Sequence, residues 1–312
     1  MNFTWMVGLL MLIQPLSTQD HLSITHDGKP IERIERDKVA VPLLPVPMVD
    51  HDRYNLLLKE LDKKTYREPI NARIDKSGQI VPEQAGVKLY HKDFAEKFYT
   101  YFFNGGTSTL EIPTLPVPPR VDKELLATIR IKQIGHYHTL FNPHNKNRSH
   151  NISLAAESLD SSVIFPGEVF SFNQTVGKRT AAKGYMRAPI IVKGEYSEGV
   201  GGGICQVSST LFNAVDNAGV TITQRYSHSR SVSYVPPGRD ATVSWYGPDF
   251  HFKNTYSDPL LIRAQVHGGV VSVAVYSTDA IEYKPRRVPW ASIDQLPKEK
   301  KIESHVDTEP AD

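Results

Sequence analysis

The sequence predicts an α+β protein: a small N-terminal α+β module, then a larger α+β domain in which one central helix packs on an antiparallel sheet. Three observations predict this class. The chain has 312 residues, more than the ~100–200 residues of a typical single domain. Apolar residues recur at helical spacing in two early segments, Tyr54–Leu61 and Leu89–Phe102. Later, one strong helical pattern, Val207–Ala218, is surrounded by short alternating runs that are typical of strands.

Composition excludes several classes of protein. With 40% hydrophobic and 22% charged residues, the chain can form packed cores. Its formal net charge of +2 gives no general field for polyanions, and no run of basic residues favours nucleic acid as a partner. The single cysteine excludes an internal disulfide and zinc sites of the multi-cysteine kind.

The N-terminus resembles a secretory signal. Phe3–Ile13 is almost entirely apolar but shorter than the ~20 residues that span a bilayer, so an exported protein, either secreted or held at its N-terminus, is expected. No Lys or Arg precedes Lys29, which leaves a buried N-terminal element as the alternative. The predicted segments are 1–18 signal or anchor, 19–49 Pro-rich linker, 50–120 small module, 121–150 connector, 151–280 main domain and 281–312 disordered tail.

The main domain is predicted to be mostly strands. The helix Val207–Ala218 ends at Gly219. The strands expected after it are Thr221–Arg225, Ser231–Val235, Thr242–Trp245, Phe250–Lys253, Leu260–Gln265 and Val270–Tyr276.

A glycine-rich turn before this helix is the main chemical signal. In Gly201-Gly202-Gly203-Ile204-Cys205-Gln206, the glycines permit positive φ and leave free amides around a helix N-terminus. There the helix dipole stabilises a thiolate, so Cys205 is a candidate nucleophile, and backbone amides from Gly203 to Gln206 are candidates for an oxyanion site. The alternative is a small, buried structural cysteine.

A nucleophilic cysteine needs a base. His228 follows the strand predicted at Thr221–Arg225 and is the candidate base, with Asp240 as the group that orients it and Asp249 as the alternative. A loop histidine and a turn-stabilising aspartate are the competing interpretations. The predicted triad is therefore Cys205, His228 and Asp240.

Three polar side chains are candidates for substrate binding: Arg179, Arg225 and Ser208. The arginines suit the carboxylate of a peptide. No metal and no cofactor are predicted. The histidines between 136 and 150 lack a carboxylate or cysteine at ligand spacing, and no Lys-Ser or Lys-Thr follows the glycines.

Ordered strings over residues 150–277 closely resemble the VanW family. They are Asn151-Ile152-x-Leu154-Ala155-Ala156, Phe165-Pro166-Gly167-Glu168-x-Phe170-Ser171-Phe172-Asn173, Gly201–Leu211, Arg225-x-x-His228-Ser229, Tyr234–Val243 and Asp249-Phe250-x-Phe252-x-Asn254. This resemblance implies an exported bacterial envelope protein, of a kind found in glycopeptide-resistance gene clusters. The order of Cys, His and Asp also resembles transglutaminase-like and papain-like cysteine enzymes. Gly78–Gly86 resembles part of a small peptidoglycan-binding module, which the family resemblance leads us to expect at 50–120.

The predicted function is maintenance or modification of the cell wall, by Cys205-dependent acyl transfer or amide hydrolysis on wall peptides. The alternative is a non-catalytic protein that binds peptidoglycan or organises a wall-synthesis complex. A third interpretation is a glycan-cleaving enzyme that pairs Glu168 with Glu195 or Glu198, since such enzymes use two carboxylates. In each case the expected partner is peptidoglycan or a wall peptide, and the oligomeric state stays open.

Overall fold

The computed structural model describes residues 20–42, 48–192 and 195–290. The signal expected at 1–18 and residues 291–312 of the expected tail lie outside the described residues. Helices and strands alternate through the described part, which confirms the α+β class. No helix in the described residues is long and apolar enough to cross a membrane.

The helices are α1 His51–Thr65, α2 His91–Asn104, α3 Lys123–Ile129, α4 Lys146–Leu159, α5 Phe172–Val176 and α6 Ile204–Asn217. The strands are β1 His21–His26, β2 Lys29–Glu35, β3 Arg73–Ile74, β4 Ile80–Val81, β5 Gly86–Leu89, β6 Ser108–Glu111, β7 Thr114–Val117, β8 Lys132–Leu140, β9 Ser162–Ile164, β10 Val169–Ser171, β11 Arg187–Val192, β12 Glu195–Val200, β13 Thr221–Gln224, β14 His251–Lys253, β15 Leu260–His267 and β16 Val270–Ser277. These elements divide into two compact units, and the chain passes between them after Ile70, Glu83 and Arg120.

The N-terminal unit contains α1, α2 and a sheet in the order β2-β1-β6. Its core is built on aromatic residues one helical turn apart on α2, Phe94, Phe98 and Phe102, whose rings stack at 6.0 and 6.1 Å. The hairpin β1-β2 occupies part of the segment predicted as a linker. It forms because Asp27 and Gly28 adopt the positive φ of a two-residue hairpin turn. The prolines further along the segment favoured a linker in the sequence analysis.

The second unit is built on a four-stranded antiparallel sheet in the order β8-β16-β15-β9, with α6 packed on it. The predicted central helix is therefore present. The first strand of this sheet along the chain, β8, comes from the segment predicted as a connector. A second sheet has the order β10-β14-β13.

Two of the predicted strands, Ser231–Val235 and Thr242–Trp245, are loops in the structure. The residues between these two segments bond to side chains of α6 instead of to a neighbouring strand. Ser209 accepts a hydrogen bond from the Ala241 amide at 2.8 Å, and Asn213 donates one to the Arg239 carbonyl at 2.8 Å. Within the second segment, the Thr242 amide donates to the Tyr226 carbonyl and the Ser244 amide to the Pro248 carbonyl, both at 2.8 Å. These backbone groups therefore have partners without a neighbouring strand.

The first ten residues of the expected tail, 281–290, are attached to the domain at several points. Ile281 and Val288 are buried, and the Trp290 ring stacks on Tyr137 with centroids 4.9 Å apart. The Tyr137 hydroxyl also donates to the Pro289 carbonyl at 3.0 Å. This segment is thus part of the domain, and a prediction of disorder for it is wrong.

Gly135 of β8 lets α6 approach the sheet closely. A Cβ at this position would come within 2.6 Å of the Ala218 Cβ, closer than real side chains pack. We expect Gly135→Ala to lower the free energy of unfolding by about 1–3 kcal/mol, because the helix must shift away from the strand. Urea unfolding followed by circular dichroism measures this, and an unchanged midpoint would contradict the close packing.

Candidate active site

Cys205 lies in the first turn of α6, directly after the glycine turn. Gly201 and Gly203 have φ of +89° and +106°, in the region that favours glycine. A Cβ at Gly202 would come within 2.6 Å of the carbonyl oxygens of Ala188 and Pro189. The three glycines therefore serve both a left-handed backbone and a close approach to β11, and together they place Cys205 at the helix N-terminus.

Asn151 of α4 holds this turn in place. Its fully buried side chain donates to the Gly202 carbonyl at 3.0 Å and to the Met186 carbonyl at 2.9 Å. Its oxygen accepts from the Met186 amide at 2.8 Å. Three hydrogen bonds from one side chain thus join the helix, the start of β11 and the turn before Cys205.

His228 and Asp240 are paired. Asp240 Oδ2 accepts hydrogen bonds from the ring nitrogen Nδ1 of His228 at 2.7 Å and from its backbone amide at 2.6 Å. Both side chains are more than nine-tenths buried. Burial raises the pKa of Asp240, but the two hydrogen bonds and the charge of His228 outweigh it, so the pKa lies below its usual value. Since Asp240 occupies Nδ1, the other ring nitrogen, Nε2, is left for Cys205.

Cys205 and His228 interact directly. Burial raises the pKa of the Cys205 thiol, yet the hydrogen bond and charge of His228 and hydrogen bonds with Val243 and Thr242 lower it below its usual value. Burial lowers the pKa of His228, and its bonds to Cys205 and Asp240 reverse this, so the pKa is raised. The opposite shifts favour a thiolate and imidazolium pair.

The sulfur has two further contacts in the loop after Asp240. Sγ lies 3.5 Å from the Val243 carbonyl oxygen and 3.7 Å from the Thr242 hydroxyl. Tyr234, which is buried, also interacts electrostatically with Cys205, and burial raises its pKa far above the usual value, so it stays a neutral donor. Sequence reasoning assigned no role to Thr242 or Tyr234, because both come close to Cys205 only through the fold of the loop.

The candidate oxyanion amides differ in availability. The Gln206 amide already donates to the Gly203 carbonyl at 3.0 Å. Its side chain is buried against Thr139 and Leu140. The amide of Cys205 itself has no acceptor among the described residues. The structure therefore favours Cys205, and not Gln206, as the oxyanion donor.

Two of the predicted substrate-binding residues hold the site together instead. Ser208 is fully buried and its hydroxyl donates to the Ala241 carbonyl, so no substrate reaches it. Arg225 donates to the Asp240 carbonyl at 2.6 Å and stacks on the Phe212 ring at 4.9 Å. Both residues therefore bond to the backbone of the loop that carries Asp240.

Asp249, the alternative orienting group, does not bond to His228. Its oxygens accept from the Ser171 hydroxyl at 2.6 Å, the Asn173 amide at 2.9 Å and the His251 ring at 2.7 Å. Arg179, the third predicted substrate residue, is partly buried and interacts electrostatically with Cys205. The structure thus brings Arg179 close to Cys205, whereas Asp249 bonds to Ser171, Asn173 and His251 and not to His228.

The histidines near β8 form no grouping with three metal-ligating side chains in the described residues. His136 instead bonds to the Ser272 hydroxyl at 2.9 Å, and His150 to the Gly184 carbonyl at 3.0 Å. A grouping is found in the N-terminal unit at His26, Asp27 and Glu111, where the Thr25 hydroxyl bonds to Glu111. Glu168, from the glycan-cleaving interpretation, accepts the Phe165 amide at 3.0 Å in a turn.

A glycine turn, a helix-borne cysteine and a loop-borne His-Asp pair come together in the second unit, which defines a domain with a thiol beside an imidazole. Comparison with known proteins places it: the family described as VanW like protein matches residues 147–276, and the chain belongs to this VanW-like family. It is 56% identical over 292 residues to the uncharacterized protein YoaR of Bacillus subtilis (strain 168), which covers 94% of this chain and 96% of YoaR.

A second relative is the vancomycin B-type resistance protein VanW of Enterococcus faecalis (strain ATCC 700802 / V583). It is 32% identical over 116 residues, which cover 36% of this chain and 42% of that protein. No solved structure matches. The comparisons confirm the family resemblance and give no support to a likeness with transglutaminase-like enzymes.

Proposed function

We propose that this protein modifies the bacterial cell wall outside the cytoplasm by acyl transfer or amide hydrolysis on wall peptides, with Cys205 as the nucleophile. The observation that carries the proposal is the chain of contacts from Cys205 to His228 to Asp240 at the start of α6. The membership of the VanW-like family and the resistance-related name of the Enterococcus faecalis relative support the wall as the place of action.

The first half of the reaction forms a thioester. The thiolate of Cys205 attacks the carbonyl carbon of a peptide bond, and the oxyanion that develops lies at the helix N-terminus near the Cys205 amide. His228, charged in the resting pair, donates its Nε2 proton to the nitrogen as the C–N bond breaks. The amine leaves and His228 is neutral.

The second half releases the enzyme. Water, or the amine of a second peptide, attacks the thioester carbonyl while His228 takes its proton. The C–S bond breaks and the thiolate and imidazolium pair is restored. Asp240 keeps the imidazole in one orientation throughout, because its carboxylate holds Nδ1–H and the His228 amide together. No step requires a metal or a cofactor.

The test is the rate at which iodoacetamide alkylates native Cys205 between about pH 5 and pH 9, where imidazole and thiol titrate. A lowered pKa keeps the thiolate populated as the pH falls, so we expect fast alkylation well below the range of an ordinary thiol. In His228→Ala, the largest contribution that opposes burial is lost and the pKa of Cys205 rises. We therefore expect alkylation near pH 6 to slow by at least about tenfold, the equivalent of one pKa unit.

The matched control is His91→Ala, which removes a histidine from an exposed pair with Asp62 in the N-terminal unit. It should leave the pH profile of Cys205 unchanged. A parent protein that is alkylated only after denaturation would show a structural cysteine and favour a non-catalytic wall-binding protein. Equal pH profiles in the parent and in His228→Ala would also refute the proposed pair.

A further inference from the structure

Arg179 lies beside the candidate nucleophile and has no part in the steps above. Its Nη1 donates to the Asn173 side-chain oxygen at 2.7 Å and to the Gly177 carbonyl at 3.2 Å. Its aliphatic stem packs at the glycine turn, where a Cβ on Gly201 would come within 3.1 Å of the Arg179 Cβ. The guanidinium also interacts electrostatically with Cys205. Nη1 is therefore fixed by two acceptors, and the side chain lies against the turn that leads into Cys205.

The guanidinium has no counterion of its own among the described residues. Both of its acceptors are uncharged oxygens, and no described carboxylate forms an ion pair with it. Asp249 is the carboxylate that influences it, but the oxygens of Asp249 already accept from Ser171, Asn173 and His251. Nε and Nη2 donate no hydrogen bond to the described part of the chain.

A partly buried cation without a carboxylate counterion is unfavourable. Burial lowers the pKa of Arg179, yet an arginine keeps its proton in proteins, so the charge persists. The Cys205 thiolate does not need this charge, because His228 already supplies a positive partner. The arrangement instead suits a ligand that brings a negative charge to the thiol.

We propose that Arg179 binds a carboxylate of the substrate next to the carbonyl that Cys205 attacks. The free edge formed by Nε and Nη2 matches the two oxygens of a carboxylate, which it holds by parallel, charge-assisted hydrogen bonds. Arg179 is thus a specificity residue, and the substrate class is a peptide with a free carboxylate close to the bond that is cleaved. This inference rests on the proposed function of Cys205.

Two alkylating reagents test it without an identified substrate. Iodoacetate and iodoacetamide both lose iodide when a thiolate attacks their methylene carbon, and they differ in carrying a carboxylate or a neutral amide. We measure the ratio of their rates at Cys205, each divided by the rate with free N-acetylcysteine. The ratio should favour iodoacetate in the parent. It should fall about tenfold in Arg179→Gln, which corresponds to the loss of one charge-assisted hydrogen bond.

The matched control is Lys178→Gln, which removes the same charge one residue away. Lys178 is exposed and its ammonium donates to the Tyr246 hydroxyl at 2.6 Å. Its ratio should equal that of the parent, and Arg179→Lys should keep part of the preference. Equal rate ratios in the parent and in Arg179→Gln would overturn the inference, and so would a fall in Lys178→Gln as large as that in Arg179→Gln. In either case, fast labelling by iodoacetamide would still support the proposed role of Cys205. Failure of both reagents to label native Cys205 would refute both proposals.

Discussion

Cys205→Ala should abolish turnover of wall peptides while the protein remains folded. Removal of a nucleophile that acts with a base typically lowers the rate on the order of 10⁴-fold or more, because no other group forms the covalent intermediate. Cys205 is only partly buried and its sulfur makes two long contacts, so the smaller side chain leaves little void. The assay incubates the full chain with peptides from purified peptidoglycan and identifies new or shortened peptides by mass spectrometry.

Cys205→Ser separates chemistry from packing. A hydroxyl fills part of the space of the thiol and stays a hydrogen-bonding group next to Thr242 and Val243, but it does not ionise beside His228 as a thiol does. We expect it to be as inactive as Cys205→Ala and to unfold at the same temperature as the parent. Turnover that persists in both variants would show that the cysteine is structural. If Cys205→Ala lost both turnover and its folded state, the folded Cys205→Ser variant would show whether the loss of the thiol by itself stops turnover.

The part of the site that depends on local sequence could be predicted. Three glycines before an apolar pattern of helical spacing indicate a positive φ, a helix start and a cysteine at its N-terminus, and the structure has all three. These features need only neighbouring residues. The pairing of His228 with Asp240 was predicted from their order in the chain, and in the structure both residues lie on loops.

The rest of the site depends on contacts that the sequence does not display. The loop from Tyr226 to Asp249 alternates apolar and polar residues like strands, but buried side chains of α6, such as Ser209 and Asn213, take up its backbone groups. Ser208, one turn after Cys205, was predicted to bind substrate and is fully buried. Burial of polar residues on a helix is a tertiary effect, and no local pattern reports it.

The linker predicted at 19–49 was also wrong in part because its partners in the fold are distant in the sequence. Prolines at 42, 45 and 47 favoured a linker over 19–49, whereas Leu22 and Ile24 are buried in the core of the first unit. The alternation of these two residues with polar ones is the signal of a strand, and it is only six residues long in β1. A short strand is recognised from its partners more than from its own sequence, and here one partner, β6, comes more than eighty residues later.

Asn151→Ala should be the most destabilising single change near the site. The side chain is fully buried and makes three hydrogen bonds, two to carbonyls of Met186 and Gly202 and one from the Met186 amide. Alanine leaves those backbone groups without partners in the interior. We expect the free energy of unfolding to fall by about 3 kcal/mol, near 1 kcal/mol for each bond. Chemical denaturation measures this fall.

Asn147→Ala on the same helix is the matched control. Asn147 is exposed, and one hydrogen bond from its side chain, to the Arg187 carbonyl at 3.0 Å, also reaches β11. Because water replaces that bond, its loss should cost about 0.5 kcal/mol or less. The two variants should also differ at Cys205: Asn151→Ala loosens the turn that sets the helix start, so iodoacetamide labelling near pH 6 should slow, whereas Asn147→Ala should label like the parent. If Asn151→Ala unfolded at the parent's denaturant concentration and labelled at the parent's rate, the turn would not depend on this side chain, and the glycines alone would position the thiol.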